Sequence, residues 1–284
     1  MPTILACTDG SAFAASVYQH AAWAAQRLSA AVEVLHVINH HRELSPTHDL
    51  SGAIGFNASA ELTEALAKLE ETQGRVARLK GKAILDEAQQ LLTKAGVTKV
   101  TATQRHGTVE ATLAELEPGA ALVIVGKSGD HAVLTPGQVG GHLENLIRIS
   151  VRPVLVAERN FKPIRRFLLA FDNSPSARKA VRYATTAPLL RGLECNLMMV
   201  GRADTAHETA LNEARTQLSQ AGFAVTAELM PGSPAPVIAA KVKSANIDLL
   251  VMGAYGHSQL REFFVGSTTT KLVRTSPVSV LLFR

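Results

Sequence analysis

The chain of 284 residues is long enough for two domains of ordinary size, each burying its own core. A hydrophobic share of 46% against a charged share of 19%, with Gly and Pro dispersed, excludes a disordered or fibrous chain and predicts a soluble globular one. The net charge of +5 is unevenly divided: residues 163–284 carry 14 Lys and Arg against 8 Asp and Glu, whereas residues 1–162 carry 15 against 16. The basic excess therefore belongs to the second half, where it is either a solvated face or an attractor of phosphate groups.

In chain order, residues 3–8 read as a strand, followed by the polar turn Asp9-Gly10-Ser11 and a helical pattern in which Phe13 and Trp23 are expected to lie against a sheet. No basic stretch or cleavage site precedes that strand, and no apolar run reaches the roughly 18–20 residues of a membrane helix. The expected compartment is the cytoplasm, with no membrane partner. Residues 32–38 form the second strand. His36, His40, His41 and His48 cluster in the first half and are expected to be surface or loop histidines, because their spacing fits no metal site. A helical stretch over residues 58–95 follows, with a bend predicted at Gly74 or Gly81, and further strands are predicted at 100–103, 122–125 and 154–156.

The same order then recurs. TILACTDGSAFAASVYQHAAWAA near residue 3 is answered by FLLAFDNSPSARKAVRYATTAP near residue 167. ALVIVGKSGDHAVL (121–134) is answered by DLLVMGAYGHSQL (248–260), and GGHLENLIRISVRPVLVAE by GSTTTKLVRTSPVSVLLF. Strands are predicted at 167–171, 195–200, 224–230, 249–252 and 278–282. The expected architecture is α/β: two doubly wound Rossmann-like domains, residues 1–159 and 163–284, each with a five-stranded parallel sheet flanked by helices, joined by a linker at 160–163. Cys7 and Cys195 fall in strands of different halves and are expected to be buried thiols.

In open parallel sheets ligands bind beyond the carboxyl ends of the strands, where the strand order reverses. The residues there are Asp9, Gly10 and Ser11 in the first half and Asp172, Asn173 and Ser174 in the second. After the fourth strands stand Gly126-Lys127-Ser128-Gly129 and Gly253-Ala254-Tyr255-Gly256. The second-half loop runs Gly253-x2-Gly256-x9-Gly266-Ser267. Its glycines suit close approach of a phosphate, the N–H groups entering a helix suit an anion, and Ser267, Thr268 and Thr269 offer hydroxyls. Gly126-Lys127-Ser128 is not a P-loop, because Ala121 stands where that motif needs glycine. No nucleophile elbow, HExxH or GxGxxG is suitably placed, and no aromatic residues interleave with a dense basic patch, so nucleic acid is not an expected partner.

The G-x2-G-x9-G-[ST] pattern, with an aspartate after the first strand and the closing PVSVLLF strand, resembles the ATP-binding universal stress proteins, twice over the chain. The resemblance implies a stress-response role and ATP as cofactor, with or without magnesium. It implies that Asp172 and Val200 hold the adenine and ribose side, and that Gly253, Gly256, Gly266, Ser267 and Thr268 wrap the ribose and phosphates. His257 and Arg261 lie between them. It also implies association through the last strands, either by internal pairing of the two halves or in a homodimer.

The first half departs from the pattern: Gly140 follows Gly129 by one residue too many, and Gly141 replaces the hydroxyl residue. The adenine-nucleotide site is therefore expected mainly in the second domain. Only Asp172 and Glu262 offer carboxylates near that loop, so a regulatory binding protein is expected and not an enzyme. The alternatives are a slow ATPase or phosphoryl or nucleotidyl transferase in the same pocket, or a nucleotide-free interaction module.

Overall fold

The computed structural model describes residues 1–38, 56–128, 141–254 and 267–284. The first half contains β1 (Thr3–Cys7), α1 (Ala14–Leu28), β2 (Ala31–Ile38), α2 (Phe56–Lys94), β3 (Val100–His106), α3 (Val109–Leu116), β4 (Ala120–Gly126), α4 (Gly141–Ile149) and β5 (Val154–Ala157). The second contains β6 (Arg166–Ala170), α5 (Pro175–Thr186), β7 (Glu194–Val200), α6 (Thr205–Gln220), β8 (Val225–Met230), α7 (Pro234–Ser244), β9 (Leu249–Gly253), α8 (Ser267–Thr275) and β10 (Ser279–Phe283). These are the elements that the alternation of β-branched runs and helical patterns predicts.

The strands form one sheet in the order β3-β2-β1-β4-β5-β10-β9-β6-β7-β8. Within each half all neighbours are parallel, and the strand order reverses between β1 and β4 and between β6 and β9. Central strands are apolar on both faces because helices cover both: every residue of β5 and of β10 is buried. One core layer joins α1, α2, α5 and α6 to the sheet, and the other joins α3, α4, α7 and α8. Packing thus runs through both halves continuously.

Where the halves meet, β10 pairs antiparallel with β5, Leu281 opposite Leu155. A buried polar chain crosses this seam. His20, 2% exposed, has Nδ1 at 2.7 Å from the Ser16 carbonyl oxygen, so Nδ1 carries the proton and Nε2 accepts from Ser279 Oγ at 2.9 Å. Ser279 Oγ accepts from the Glu158 N–H at 3.0 Å, and Ser16 Oγ donates to the Glu158 carbonyl. Beside it, Lys127 Nζ donates to Glu158 Oε2 at 2.6 Å and to the Ser276 carbonyl at 2.7 Å. In the repeat alignment His20, Lys127 and Ser279 correspond to Tyr183, Ala254 and Pro153, so these three links have no mirrored counterparts.

Two expectations need correction. Helix α2 is not interrupted at Gly74 or Gly81; it runs through 39 residues as one helix. Gly81 is there because a Cβ would lie 2.0 Å from Gln104 Nε2 and 2.6 Å from His36 Cδ2, so glycine lets the helix lie close on β2 and β3. His36 is not a surface histidine. It is buried in β2 under that glycine, and its Nδ1 lies 2.9 Å from the Thr8 carbonyl oxygen. His40, His41 and His48 lie outside the described residues.

Candidate functional site

The second-half switch point is framed by three strand ends and one helix start. Strand β6 ends at Ala170, and Phe171 continues the ladder by donating its N–H to the Met198 carbonyl at 2.8 Å. Exposed Asp172 then makes an Asx turn, its Oδ1 accepting from the Ser174 N–H at 3.0 Å. Asn173 takes the left-handed conformation, φ 63°, and its Oδ1 accepts from Arg178 Nε at 2.9 Å. Ser174 caps α5 by accepting from the Ala177 N–H at 3.2 Å, with Pro175 at the first helical position. Val200 sits half-buried at the end of β7. Because Ala170 is in register with Met198, Asp172 and Val200 stand equally far along adjacent strands.

Gly253 ends β9 on the other side of β6, and its lack of a side chain has a packing cause. A Cβ there would lie 2.3 Å from Ser176 Oγ and 2.9 Å from the Ala177 backbone nitrogen, so glycine is required by the first turn of α5 pressing on β9. Thr269 is also committed elsewhere: it is buried, and its Oγ1 donates to the Ala254 carbonyl at 3.2 Å, tying the first turn of α8 to the end of β9. Ser267, exposed, and Thr268, half-buried, open α8. The structure therefore collects Asp172, Val200, Gly253, Ser267 and Thr268 along one sheet edge. Gly256, His257, Arg261, Glu262 and Gly266 lie outside the described residues. A crevice of about 310 Å³ between α5 and α6 starts beside Asn173 and Phe171, yet includes none of Gly253, Ser267 or Thr268.

The first-half edge begins alike but is packed differently. Asp9 Oδ1 accepts from the Ser11 N–H at 2.9 Å, and Gly10 takes φ 74° where Asn173 takes 63°. A Cβ on Gly10 would fall 2.6 Å from Ile84 Cδ1, because α2 presses down on this loop. Phe13 occupies the position of Ser176, and its Cβ lies 2.9 Å from where a Cβ of Gly126 would be. Thr8 Oγ1 is hydrogen-bonded to buried Tyr18 Oη at 2.8 Å. Lys127, which the motif reading had set aside, turns out to be the side chain that reaches Glu158 and Ser276. Only the folded sheet brings these partners together, since Ser276 is far away in sequence. Gly129, Pro136, Gly137 and Gly140 lie outside the described residues.

Trp23 is half-buried against the core, as expected, with Arg27 stacked at 5.7 Å from its ring centre. Cys7 and Cys195 are free thiols, and burial pushes the Cys195 thiol up to about 12, so it is not a nucleophile at neutral pH. Among the described residues no group of three His, Cys, Asp or Glu could hold a metal ion, and no helix is long and apolar enough to cross a membrane.

A family model described as the universal stress protein family matches residues 1–158 and 196–284. The chain belongs to the universal stress protein family. Its similarity to universal stress protein Slr1230 of Synechocystis sp. is 34% identity over 287 residues, covering all of both chains. The crystal structure of a universal stress protein from Archaeoglobus fulgidus DSM 4304 matches 99% of this chain and 98% of its own with a TM-score of 0.76 at 20% identity. A functionally unknown protein of Pseudomonas aeruginosa PAO1 matches 100% of this chain and 92% of its own with a TM-score of 0.62 at 16% identity. At such identities these two structures speak for the fold, which they share over the full length. This universal stress protein is a tandem one, with both family segments in a single chain.

Proposed function

We propose that the chain is a regulatory, stress-responsive protein of the cytoplasm that binds ATP at the second-half switch point and does not turn it over. The observation that supports this reading is the unequal state of the two sheet edges. In the second half, Ser267 and Thr268 stand at the first turn of α8 beside Asp172 and Val200. In the first half, Asp9 and Val37 stand at the corresponding strand ends, but Gly141 replaces the hydroxyl residue and α2 packs Ile84 against the Gly10 turn. Backbone N–H groups and hydroxyls at a helix start suit phosphate oxygens, and an aspartate one strand away suits ribose hydroxyls. Magnesium would meet one described carboxylate, Asp172, and would be held chiefly by the phosphates. Such a set is better equipped to hold a nucleotide than to position water or a nucleophile against it.

The β5–β10 ladder would serve as the internal pairing of domains 1–159 and 163–284 in solution, leaving any homodimer to another surface. Protein purified from cells should release adenine nucleotide, identified by mass spectrometry, and Ser267→Ala with Asp172→Ala should lower its yield at least several-fold. Release of no nucleotide from the wild-type chain would favour an interaction module instead. Rapid multiple turnover of ATP with magnesium, abolished by Asp172→Ala, would replace the binding reading with the enzymatic one.

A further inference from the structure

The crevice between α5 and α6 lies apart from the switch-point residues, and its shape follows from how the two halves differ. Its floor is Phe171, Val181, Ala210 and Ala214, all buried. Helices α5 and α6 cover the face of the sheet opposite to α8, so this floor is separated by the sheet from the layer that carries Ser267 and Thr268. The repeat accounts for the space. The run LDEA at 85–88 in α2 aligns with LNEA at 211–214 in α6, and the Ala-Gly pairs at 95–96 and 221–222 align with them, so Ala210 stands where Ile84 stands. With Asp9 set on Asp172, Phe171 replaces Thr8 and Val181 replaces Tyr18. One aromatic ring has therefore moved from helix to strand. Ile84, 8% exposed and packed on the Gly10 turn, has no such replacement, and a packed layer that loses an isoleucine side chain keeps a gap.

The rim changes in the same exchange. Ala15, Gln19 and Leu91 of the first half correspond to Arg178, Arg182 and Gln217, while Glu87 and Glu213 are alike. Arg178 is tied to the crevice mouth by its Nε bond to Asn173 Oδ1 at 2.9 Å. Arg182 lies seven residues beyond Pro175, the start of α5, and Glu213 eight beyond Thr205, the start of α6. Both helices descend from neighbouring parallel strands, so the two charges stand at similar depth on opposite walls. They do not form an ion pair with each other, nor with any other described residue. Opposite charges that line one gap without closing it leave room for a ligand that carries both signs.

We propose that this crevice binds a free amino acid with an apolar side chain. The carboxylate meets the guanidinium groups of Arg178 and Arg182, whose planar fork matches it. The ammonium group meets Glu213 on the facing wall, and the side chain covers the floor at Val181 and Ala210. The volume of about 310 Å³ is at the lower end of the range of about 300–1,000 Å³ usual for ligand pockets, which suits a compact ligand. Exposed rim charges orient more than they hold, so the buried floor carries most of the affinity.

The test is isothermal titration calorimetry of the full chain with L-leucine and L-phenylalanine. At least one of them should bind once per chain with a Kd below about 1 mM. For leucine, 3-methylbutylamine, which lacks the carboxylate, and 4-methylpentanoate, which lacks the ammonium group, should each bind at least about tenfold more weakly; phenethylamine and 3-phenylpropanoate make the same comparison for phenylalanine. Ala210→Ile restores the side chain that the first half already accommodates, and should abolish binding with the melting temperature retained. Arg182→Gln and Glu213→Gln, both at exposed positions, should each weaken binding about tenfold without relying on a change inside the packed layer. Saturating ATP should leave the amino-acid affinity unchanged. No saturable binding of either amino acid, equal binding of a truncated compound, indifference to Ala210→Ile or to both rim substitutions, or competition by ATP would each overturn the proposal. The amino-acid titrations and their variants do not depend on whether the switch point binds nucleotide.

Discussion

The two halves repeat one topology but close their ligand-facing edges differently, and the difference lies in side chains contributed from outside the edge. In the first half α2, with 39 residues, extends over β2 and β3 so that Ile84 meets Gly10 and Gly81 meets His36 and Gln104. In the second half α6, the equivalent helix, has 16 residues, and Asn173 turns at the same place with Arg178 as its nearest charged partner. A duplicated fold thus keeps its backbone geometry, including the Asx turn at Asp9 and Asp172, while one copy fills the space above it. A fold held by two continuous core layers tolerates this, since the covering residues add burial instead of removing it.

The comparison can be broken most strongly at Ile84. Ile84→Ala removes a buried side chain that packs on Gly10, and unfolding by denaturant should show a loss of about 2–5 kcal/mol. The opened edge should still bind no nucleotide by equilibrium dialysis, since Gly141 offers no hydroxyl.

Acid should expose the one-sided seam next. Burial pulls the His20 imidazole down to about 4 from an ordinary 6.5, so the folded state resists protonation that the unfolded chain accepts. The sign follows: this contribution is fully present above pH ~6.5 and is lost as pH falls toward ~4, amounting to about 3 kcal/mol over that window. His20→Gln should flatten that slope in pH-dependent unfolding. An unchanged slope would mean that His20 is not the titrating group. The second half has Tyr183 in the equivalent place, and burial pushes its phenol up to about 12, so it stays neutral through that window.

Gly81→Ala reverses an ordinary expectation. In an exposed helix alanine gains about 1 kcal/mol over glycine. Here its methyl group would press on His36, and thermal unfolding should show a loss of about 1–3 kcal/mol. The smallest contrast is at the caps. Ser174→Ala should cost about 1 kcal/mol because it removes the α5 cap. Ser11→Ala should cost less, because α1 starts at Phe13 with no side-chain cap and the Ser11 Oγ contact to the Phe13 N–H is long, at 3.4 Å.

What the sequence made legible is what local pattern and repetition encode. Each predicted strand appears, and Asp172, Val200, Gly253, Ser267 and Thr268 do share one edge, because strand ends and helix starts follow directly from the alternation of elements. What escaped it rests on contacts between residues distant in the chain. Gly81 looked like a hinge because its reason, His36 and Gln104, lies on two strands. His36 looked like a loop histidine because it adjoins a polar, histidine-bearing segment. Gly253 makes room for the first turn of α5, a role the local loop pattern does not show because that turn begins some eighty residues earlier. Lys127 carried no signal beyond a failed motif, since its partners Glu158 and Ser276 are assembled only by the β5–β10 seam.

The central proposal is that the second-half edge binds ATP and the first-half edge, which lacks the helix-start hydroxyl, does not, and the stoichiometry of ATP binding to the full chain tests it most directly. Titration calorimetry should give one nucleotide per chain, with binding lost in Ser267→Ala combined with Asp172→Ala and retained in Asp9→Ala. Two nucleotides per chain, or binding that follows Asp9 instead of Asp172, would contradict it.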